Sequence, residues 1–216
     1  PVADLGEGSH TLRVQERDDA GNWSPEGSFG VAVDTVPPTA PVVSGPALTV
    51  DPRPIWTWTP GGGGNGTYRY DLDASGVWVE TMDMTFTPVA DLGEGSHTLR
   101  VQERDDAGNW SPEGSFEILV DTIPPVAPVV SGPARTNNPQ PTWTWTPGGG
   151  GNGTYRHDLD ASGVWLLTTG VAFTPTTELG DGTHTLRVQE RDDAGNWSAD
   201  GSHGLEINTT ELTAAF

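Results

Sequence analysis

PVADLGEGSHTLRVQERDDAGNWSPEGSF occupies residues 1–29 and returns, letter for letter, at residues 88–116. A third version, PTTELGDGTHTLRVQERDDAGNWSADGSH, runs from Pro175 to His203, so the spacing is 87 residues both times. Outward from this stretch, WTWTPGGGGNGTYR at 56–69 recurs at 143–156, and VDTVPP at 33–38 recurs as VDTIPP at 120–125. A period of 87 residues is too long for a solenoid repeat and suits a small self-contained domain. The Pro-Pro pairs offer no amide donor and stiffen the chain, so they mark the boundaries. The cuts fall after Asp34 and Asp121. Residues 1–34 are then the C-terminal half of a repeat, 35–121 and 122–209 are complete repeats, and 210–216 are a tail outside the period.

Within 35–121 the residues read as short strands. Ala40–Ser44 opens the repeat. In Ile55–Thr59, Trp56 and Trp58 share one face and Thr57 and Thr59 the other. After the glycine loop GGGGNG at 61–66, Thr67–Asp73 turns Tyr68, Tyr70 and Leu72 inward and Arg69, Asp71 and Asp73 outward. Val77–Thr81, Met84–Thr87, His97–Arg104 and Ser115–Val120 complete seven strands with frequent turns, which predicts an all-β sandwich. No stretch keeps a helical period. The predicted core is Trp56, Trp58, Tyr68, Leu72, Leu99 and Val101, with Trp143, Trp145, Tyr155, Leu159, Leu186 and Val188 in the next repeat. Residues 1–34 supply about two strands, which are marginal alone in water. If ordered, they need completion by more of a longer chain or by strand donation from a neighbour in a fibre.

Composition narrows the function classes. Gly (29) and Pro (19) are abundant, as short strands joined by tight turns require, and 9 Trp residues argue against disorder. A net charge of −20 repels nucleic acid and anionic membrane surfaces and favours divalent cations. The absence of Cys excludes disulfides and thiolate zinc. All ten basic residues are Arg, which excludes lysine cross-links and Schiff-base chemistry. No apolar run is long enough to span a membrane. The missing signal peptide carries no information in a chain that begins in mid-repeat.

VDTxPPxAP between domains, YRYDLD in mid-domain and DLGEGSHTLRVQERDDAGNWS near the end resemble bacterial immunoglobulin-like repeats, close in architecture to fibronectin type III. The resemblance covers nearly the whole chain except 210–216. It implies tandem immunoglobulin-like, fibronectin type III-like seven-stranded β-sandwiches in an extracellular location. Such repeats fill the extender regions of large surface adhesins, and many bind calcium at domain junctions. Related sandwiches place a Tyr at the start of the sixth strand, bonded back to the backbone. Here that place holds His10, His97 and His184, which read as structural corner residues.

The candidate site is metal-ligating. Asp34 with Glu103, Asp105 and Asp106, and Asp121 with Glu190, Asp192 and Asp193, recur at 87 residues, each set placed where a linker meets a loop. Four carboxylates brought together repel unless neutralised, and hard oxygen donors suit Ca²⁺. The alternative is a solvated acidic loop. A third junction is expected to be weaker, because Asn208 stands at the linker Asp and the Pro-Pro is missing. No catalytic residue is assigned: a paired-carboxylate glycosidase needs a cleft that small repeats lack. GGGGNG is no phosphate loop, since neither a Lys-Ser/Thr nor a helix follows it. The Asn-x-Ser/Thr patterns are frequent by chance. The loop residues Trp23, Trp110 and Trp197 either stack on sugars or cover neighbouring chain.

The expected function is a stalk, extender or fibre of a bacterial cell-surface adhesin, stiffened by calcium. Its partners would be neighbouring repeats and other copies in a fibre. The alternatives are a module that binds glycans or a host surface, and accessory domains of a secreted enzyme. A glycan array separates the first alternative, and the domain order of the parent gene the second.

Overall fold

A computed structural model describes residues 4–210, so all of the expected tail but Thr210 lies outside the described residues. They form eighteen strands and no helix. β1 (Gly8–Val14) and β2 (Gly27–Val33) make an antiparallel hairpin. The first eight-stranded repeat follows as β3 (Val42–Ser44), β4 (Leu48–Thr49), β5 (Trp56–Thr59), β6 (Thr67–Leu72), β7 (Val79–Thr81), β8 (Thr85–Phe86), β9 (Gly95–Arg104) and β10 (Gly114–Val120). The second carries β11 (Val129–Ser131), β12 (Arg135–Thr136), β13 (Trp143–Thr146), β14 (Thr154–Leu159), β15 (Leu166–Thr168), β16 (Ala172–Phe173), β17 (Gly182–Arg191) and β18 (Gly201–Ile207). Each has a three-stranded sheet, β3-β5-β8 or β11-β13-β16, and a five-stranded sheet, β4-β10-β9-β6-β7 or β12-β18-β17-β14-β15. The chain divides into two compact units, one of residues 4–46, 53–90 and 96–118, the other of residues 47–52, 91–95 and 119–210.

Alternation in the sequence becomes sidedness. Trp56, Trp58, Tyr68, Leu99 and Val101 are buried, while Thr57 and Thr59 face water. In the second repeat Trp143, Trp145, Tyr155, Leu186 and Val188 pack into one cluster with Val130, Leu205 and Ile207, and Leu159 lies at its margin. Leu72, expected inside, is half-buried near the end of β6. The indole of Trp56 donates to the Phe116 carbonyl at 3.1 Å, and Trp143 does the same to His203 at 3.1 Å, so each deepest Trp ties one sheet to the other.

Two features differ from the sequence reading. An eighth strand, β4, runs parallel to β10 through the pairs Leu48–Leu119 and Thr49–Val120. The opening strand breaks at Gly45-Pro46, where Pro46 has no amide for a ladder, and the chain crosses to the other sheet. The second difference is Asp71, read as outward-facing. It stands on the outer face of β6 but is buried, because the turn after the strand folds back over it. Its carboxylate accepts from Ser75 N (3.0 Å), Ser75 Oγ (2.6 Å), Gly76 N (3.1 Å) and Arg100 (2.5 Å). Burial pushes this carboxyl up, but the bonds from Ser75 and Arg100 outweigh it and hold the group below the ordinary range. Asp158 repeats the arrangement with Ser162, Gly163 and Arg187.

Candidate functional site at the repeat linkers

The hydrogen bonds around each Pro-Pro linker recur from repeat to repeat. Glu7 accepts the Thr35 amide at 2.8 Å and also the Thr35 hydroxyl. Glu94 takes the amide of Thr122 at 3.1 Å and its hydroxyl in the same way. One residue earlier, the linker aspartates close small turns on themselves: Asp34 Oδ1 accepts Val36 N at 3.1 Å and Asp121 Oδ1 accepts Ile123 N at 3.1 Å. Their main-chain carbonyls are held by an asparagine of the following repeat. Asn109 Nδ2 donates to Asp34 O at 3.0 Å, and Asn196 Nδ2 to Asp121 O at 2.9 Å.

Those asparagines are positioned by predicted site residues. Asp105 Oδ1 accepts Gly108 N (2.7 Å) and Asn109 N (2.8 Å), and its Oδ2 accepts Asn109 Nδ2 (2.9 Å). Asp192 repeats this with Gly195 and Asn196. Burial pushes both carboxyls up, and the donors from Asn109 or Asn196 more than reverse it, leaving both below the usual carboxylate range. The structure thus joins Asp34 to Asp105, and Asp121 to Asp192, through one bridging side-chain amide.

Glu103 and Glu190 lie deeper, almost wholly buried beneath the glycine loop. A Cβ on Gly64 would sit 2.2 Å from the Glu103 carboxyl carbon, and one on Gly61 2.2 Å from the Thr39 carbonyl oxygen, so both positions require glycine. The loop is packed, with Thr39 N donating to Gly62 O at 3.0 Å. Glu190 Oε2 accepts Gly148 N at 3.3 Å, whereas Glu103 Oε2 is buried without a partner. Burial and the neighbouring Glu103 carboxylate push the Tyr68 phenol up, as burial and Glu190 do for Tyr155. Asp106 and Asp193 are exposed on the loop. The expected four-carboxylate cluster is therefore not assembled: among the described residues no group of three or more His, Cys, Asp or Glu side chains is arranged to hold a metal. Amide donors already hydrogen-bond the carboxylates of Asp34, Asp105 and their counterparts. At the third junction Asn208 Oδ1 accepts Thr210 N at 3.0 Å, and Asp181 accepts Thr209 N at 2.9 Å. A turn that needs one acceptor oxygen and no charge is served equally by Asn.

Sequence reasoning missed Glu7, Glu94 and Asp181, the threonines they hold, and Asn109 and Asn196 as donors. The signal was present, since each recurs with the same 87-residue period as the aspartates. It also missed an arginine–tryptophan ladder on the outer face of the five-stranded sheet. The guanidinium of Arg69 lies 4.7 Å from the Trp78 ring and 4.3 Å from the Trp110 ring, with Arg100 on Trp78 and Arg104 on Trp110. Arg156, Arg187 and Arg191 repeat it on Trp165 and Trp197. A flat guanidinium stacks face to face on an indole, which a compact ammonium group does not, and this favours arginine over lysine at the ladder positions. The faces of Trp110 and Trp197 that could have stacked on sugars carry arginine.

His10, His97 and His184 are corner residues. His10 Nε2 lies 2.6 Å from Gly6 O and His184 Nε2 2.9 Å from Gly180 O, so an imidazole supplies the backbone bond of the missing tyrosine. His97 and His184 each also place Nδ1 2.7 Å from Oδ2 of Asp73 and Asp160, residues held in the left-handed region. The bond to Asp160 leads the causes that push the His184 imidazole up, against the opposing effect of its burial.

Residues 57–122 match the family described as bacterial Ig-like domain. No curated protein matches the chain. Among solved structures, the chicken CNTN1 FN1–FN3 domains align at 13% identity over 91% of this chain and 77% of that one, with a TM-score of 0.46. The Clostridium thermocellum CbhA fibronectin(III)-like modules align at 14% identity over 81% of this chain and 100% of that one, with a TM-score of 0.47. The matched segment spans most of the first complete repeat, and the next repeat carries closely similar sequence and the same strands 87 residues on, so the similarity to the bacterial Ig-like domain family lies in the repeat unit.

Proposed function

We propose that this is an extracellular spacer segment, a stalk or extender of a bacterial surface adhesin, whose linkers are stiffened by hydrogen bonds. The observation that carries this reading is the double hold on the linker: Glu94 grips Thr122 while Asn196 grips the Asp121 carbonyl. A linker bonded on both sides loses the torsional freedom of an open Pro-Pro segment and transmits orientation from one repeat to the next. Near-identical copies serve length better than ligand specificity. The test compares small-angle scattering of the wild type with Glu94→Ala/Asn196→Ala. A broadened distribution of dimensions in the variant, with unchanged melting of the repeats, is the expected result. Identical curves reject the stiffening.

Calcium is the second reading, favoured by the buried, unpartnered Glu103 Oε2. If Ca²⁺ adds to the lock, a chelator lowers the melting temperature of the first complete repeat. If the amides suffice, chelation changes nothing.

A further inference from the structure

The outer faces of the two five-stranded sheets differ in charge. In the first repeat the register sets Glu80 of β7 beside Arg69 of β6. In the second, Leu167 of β15 stands at that place, beside Arg156 of β14. Glu117, exposed on β10 next to buried Ile118, becomes Gly204 on β18. The carboxylate gained on this face is Glu206, in place of Leu119, and it is paired with Arg135 at 2.9 Å. Asp158 and Asp200 both bond Arg187. No ion pair among the described residues engages Arg156 or Arg191.

Stacking leaves this charge usable. Arg156 lies between two rings, 4.8 Å from Trp165 and 4.4 Å from Trp197, and Arg191 lies 5.9 Å from Trp197. Indoles occupy the faces of the Arg156 guanidinium, while its N–H donors point outward in its own plane. Nε is spent on Gln189 Oε1 at 2.6 Å. The two Nη atoms meet no protein acceptor among the described residues, and neither is among the buried nitrogens left without a partner, so they open to water. The rings hold the side chain in place, which lowers the entropy cost of gripping a ligand. A free fork of Nη donors matches the paired oxygens of a carboxylate or sulfate. Hydroxyls flank the cations: Thr154 is the register partner of Arg191, and Ser202 that of Arg187.

We propose that the outer face of the second repeat binds an acidic polysaccharide, with Arg156 and Arg191 gripping its carboxylate or sulfate groups. An outer sheet face is not a cavity, so a small molecule would keep most of its surface in water, whereas a polymer gains by touching several points. Arg187, Arg156 and Arg191 fall in one row interleaved with the two indoles, which suits a single chain with spaced charges. Duplex nucleic acid is wide and densely charged, and it would also meet the carboxylates that give the molecule its net charge of −20. At physiological salt more distant charges are screened beyond about 8 Å, so the charges of this face govern a contact made along one row. Sugar rings meet the indole edges and Leu167, which is 72% exposed, because the arginines exclude stacking on the indole faces. The proposal does not depend on stiff linkers or on calcium.

The experiment titrates the full chain calorimetrically with polygalacturonate, which carries carboxylates, dextran sulfate, which carries sulfates, neutral dextran, and polyglutamate. At least one of the two acidic sugars should bind, and dextran should not. Leu167→Glu restores the first repeat's carboxylate at an exposed position. It should weaken binding at least tenfold and leave the melting temperature unchanged, which separates lost recognition from lost folding. Arg156→Gln should weaken binding at least as much, and Arg69→Gln in the first repeat should leave it unaltered. The proposal is overturned if neither acidic sugar binds, if Leu167→Glu binds as the wild type does, or if Arg69→Gln is as damaging as Arg156→Gln. Polyglutamate binding as tightly as the sugars also overturns it, since an acidic protein segment is then the occupant.

Discussion

Residues 8–29 and residues 95–116 have one sequence and two surroundings. Both form antiparallel strands, and in both an Arg faces the Trp of the following loop, Arg17 on Trp23 and Arg104 on Trp110. They part where the opposing sheet begins. Leu99 sits under indoles, and Leu12 faces water. The ladder differs too: Trp110 is stacked on both Arg69 and Arg104, whereas Trp23 has Arg17 alone and is mostly exposed. Strand formation and the tight loop are thus local properties of this sequence, and burial and stacking are properties of its company. Fully burying a leucine contributes about 1.5–3 kcal/mol, so the same residue is decisive in one copy and idle in the other.

The comparison is broken most directly at the core. Trp56→Ala should cost the first complete repeat about 3–5 kcal/mol and Leu99→Ala about 2–5 kcal/mol, while Leu12→Ala should cost under about 0.5 kcal/mol. Urea unfolding followed by tryptophan fluorescence measures all three, and an equal cost for Leu12 and Leu99 would mean the hairpin face is covered.

The ladder sharpens it next. Arg69→Lys keeps the charge and loses two stacked faces, a loss of about 1–2 kcal/mol, and Arg17→Lys in the hairpin should fall below about 0.5 kcal/mol. Thermal unfolding of the two single variants is the check, and equal effects would show that the second indole contributes nothing.

The two complete repeats differ at a third point. Tyr70 in the first is replaced by His157, whose ring is buried between Trp145 and Phe173 with neither nitrogen hydrogen-bonded. Burial lowers its proton affinity, opposed by the neighbouring Asp158 charge. The folded state therefore resists a proton that the unfolded state accepts near the ordinary value of 6.5. This contribution to stability is fully present above that value and is lost as pH falls below it. His184, whose imidazole is pushed up, works in the opposite direction, and its stabilisation fades as pH rises. Calorimetry at about pH 7.5 and about pH 5.5 should show the second repeat weakened on acidification by less in His157→Tyr than in the wild type, isolating the first effect from the second. The smallest effect belongs to the linker: Glu94→Gln should leave the melting temperatures in place and raise amide exchange at Thr122 a few-fold, measurable by NMR.

Much of this was legible before any coordinates. Strand positions followed from the alternation of WTWT and HTLRVQER, because period-two burial leaves its mark residue by residue. β4 left none, since two residues in a parallel edge pairing have no period to read. Asp71 was placed on the correct face and given the wrong environment, because nothing in YDLDASG announces that the turn returns over the strand. At the linkers the recurring aspartates were conspicuous for their charge. Their uncharged companions Thr35, Thr122, Asn109 and Asn196 recur as strictly and carry half the bonds. A search for ligands looks past such residues, whereas a search for donors to satisfy each carboxylate would have found them.

The arginine–tryptophan ladders also determine how the chain meets proteases outside a cell. Enzymes of trypsin-like specificity need a Lys or Arg side chain to leave its neighbours and enter a deep pocket on an extended backbone. Lysine is missing from the sequence, and seven of the ten arginines, Arg17, Arg69, Arg100, Arg104, Arg156, Arg187 and Arg191, lie over an indole ring. Cutting at six of them means unstacking the ladder of a complete repeat and opening a paired sheet first. Arg13, Arg53 and Arg135 stand outside the ladders. Arg53 precedes Pro54, a bond that such enzymes do not cut, and Arg13 and Arg135 are paired with carboxylates rather than stacked on indoles, so digestion of the folded chain begins at Arg13 and Arg135.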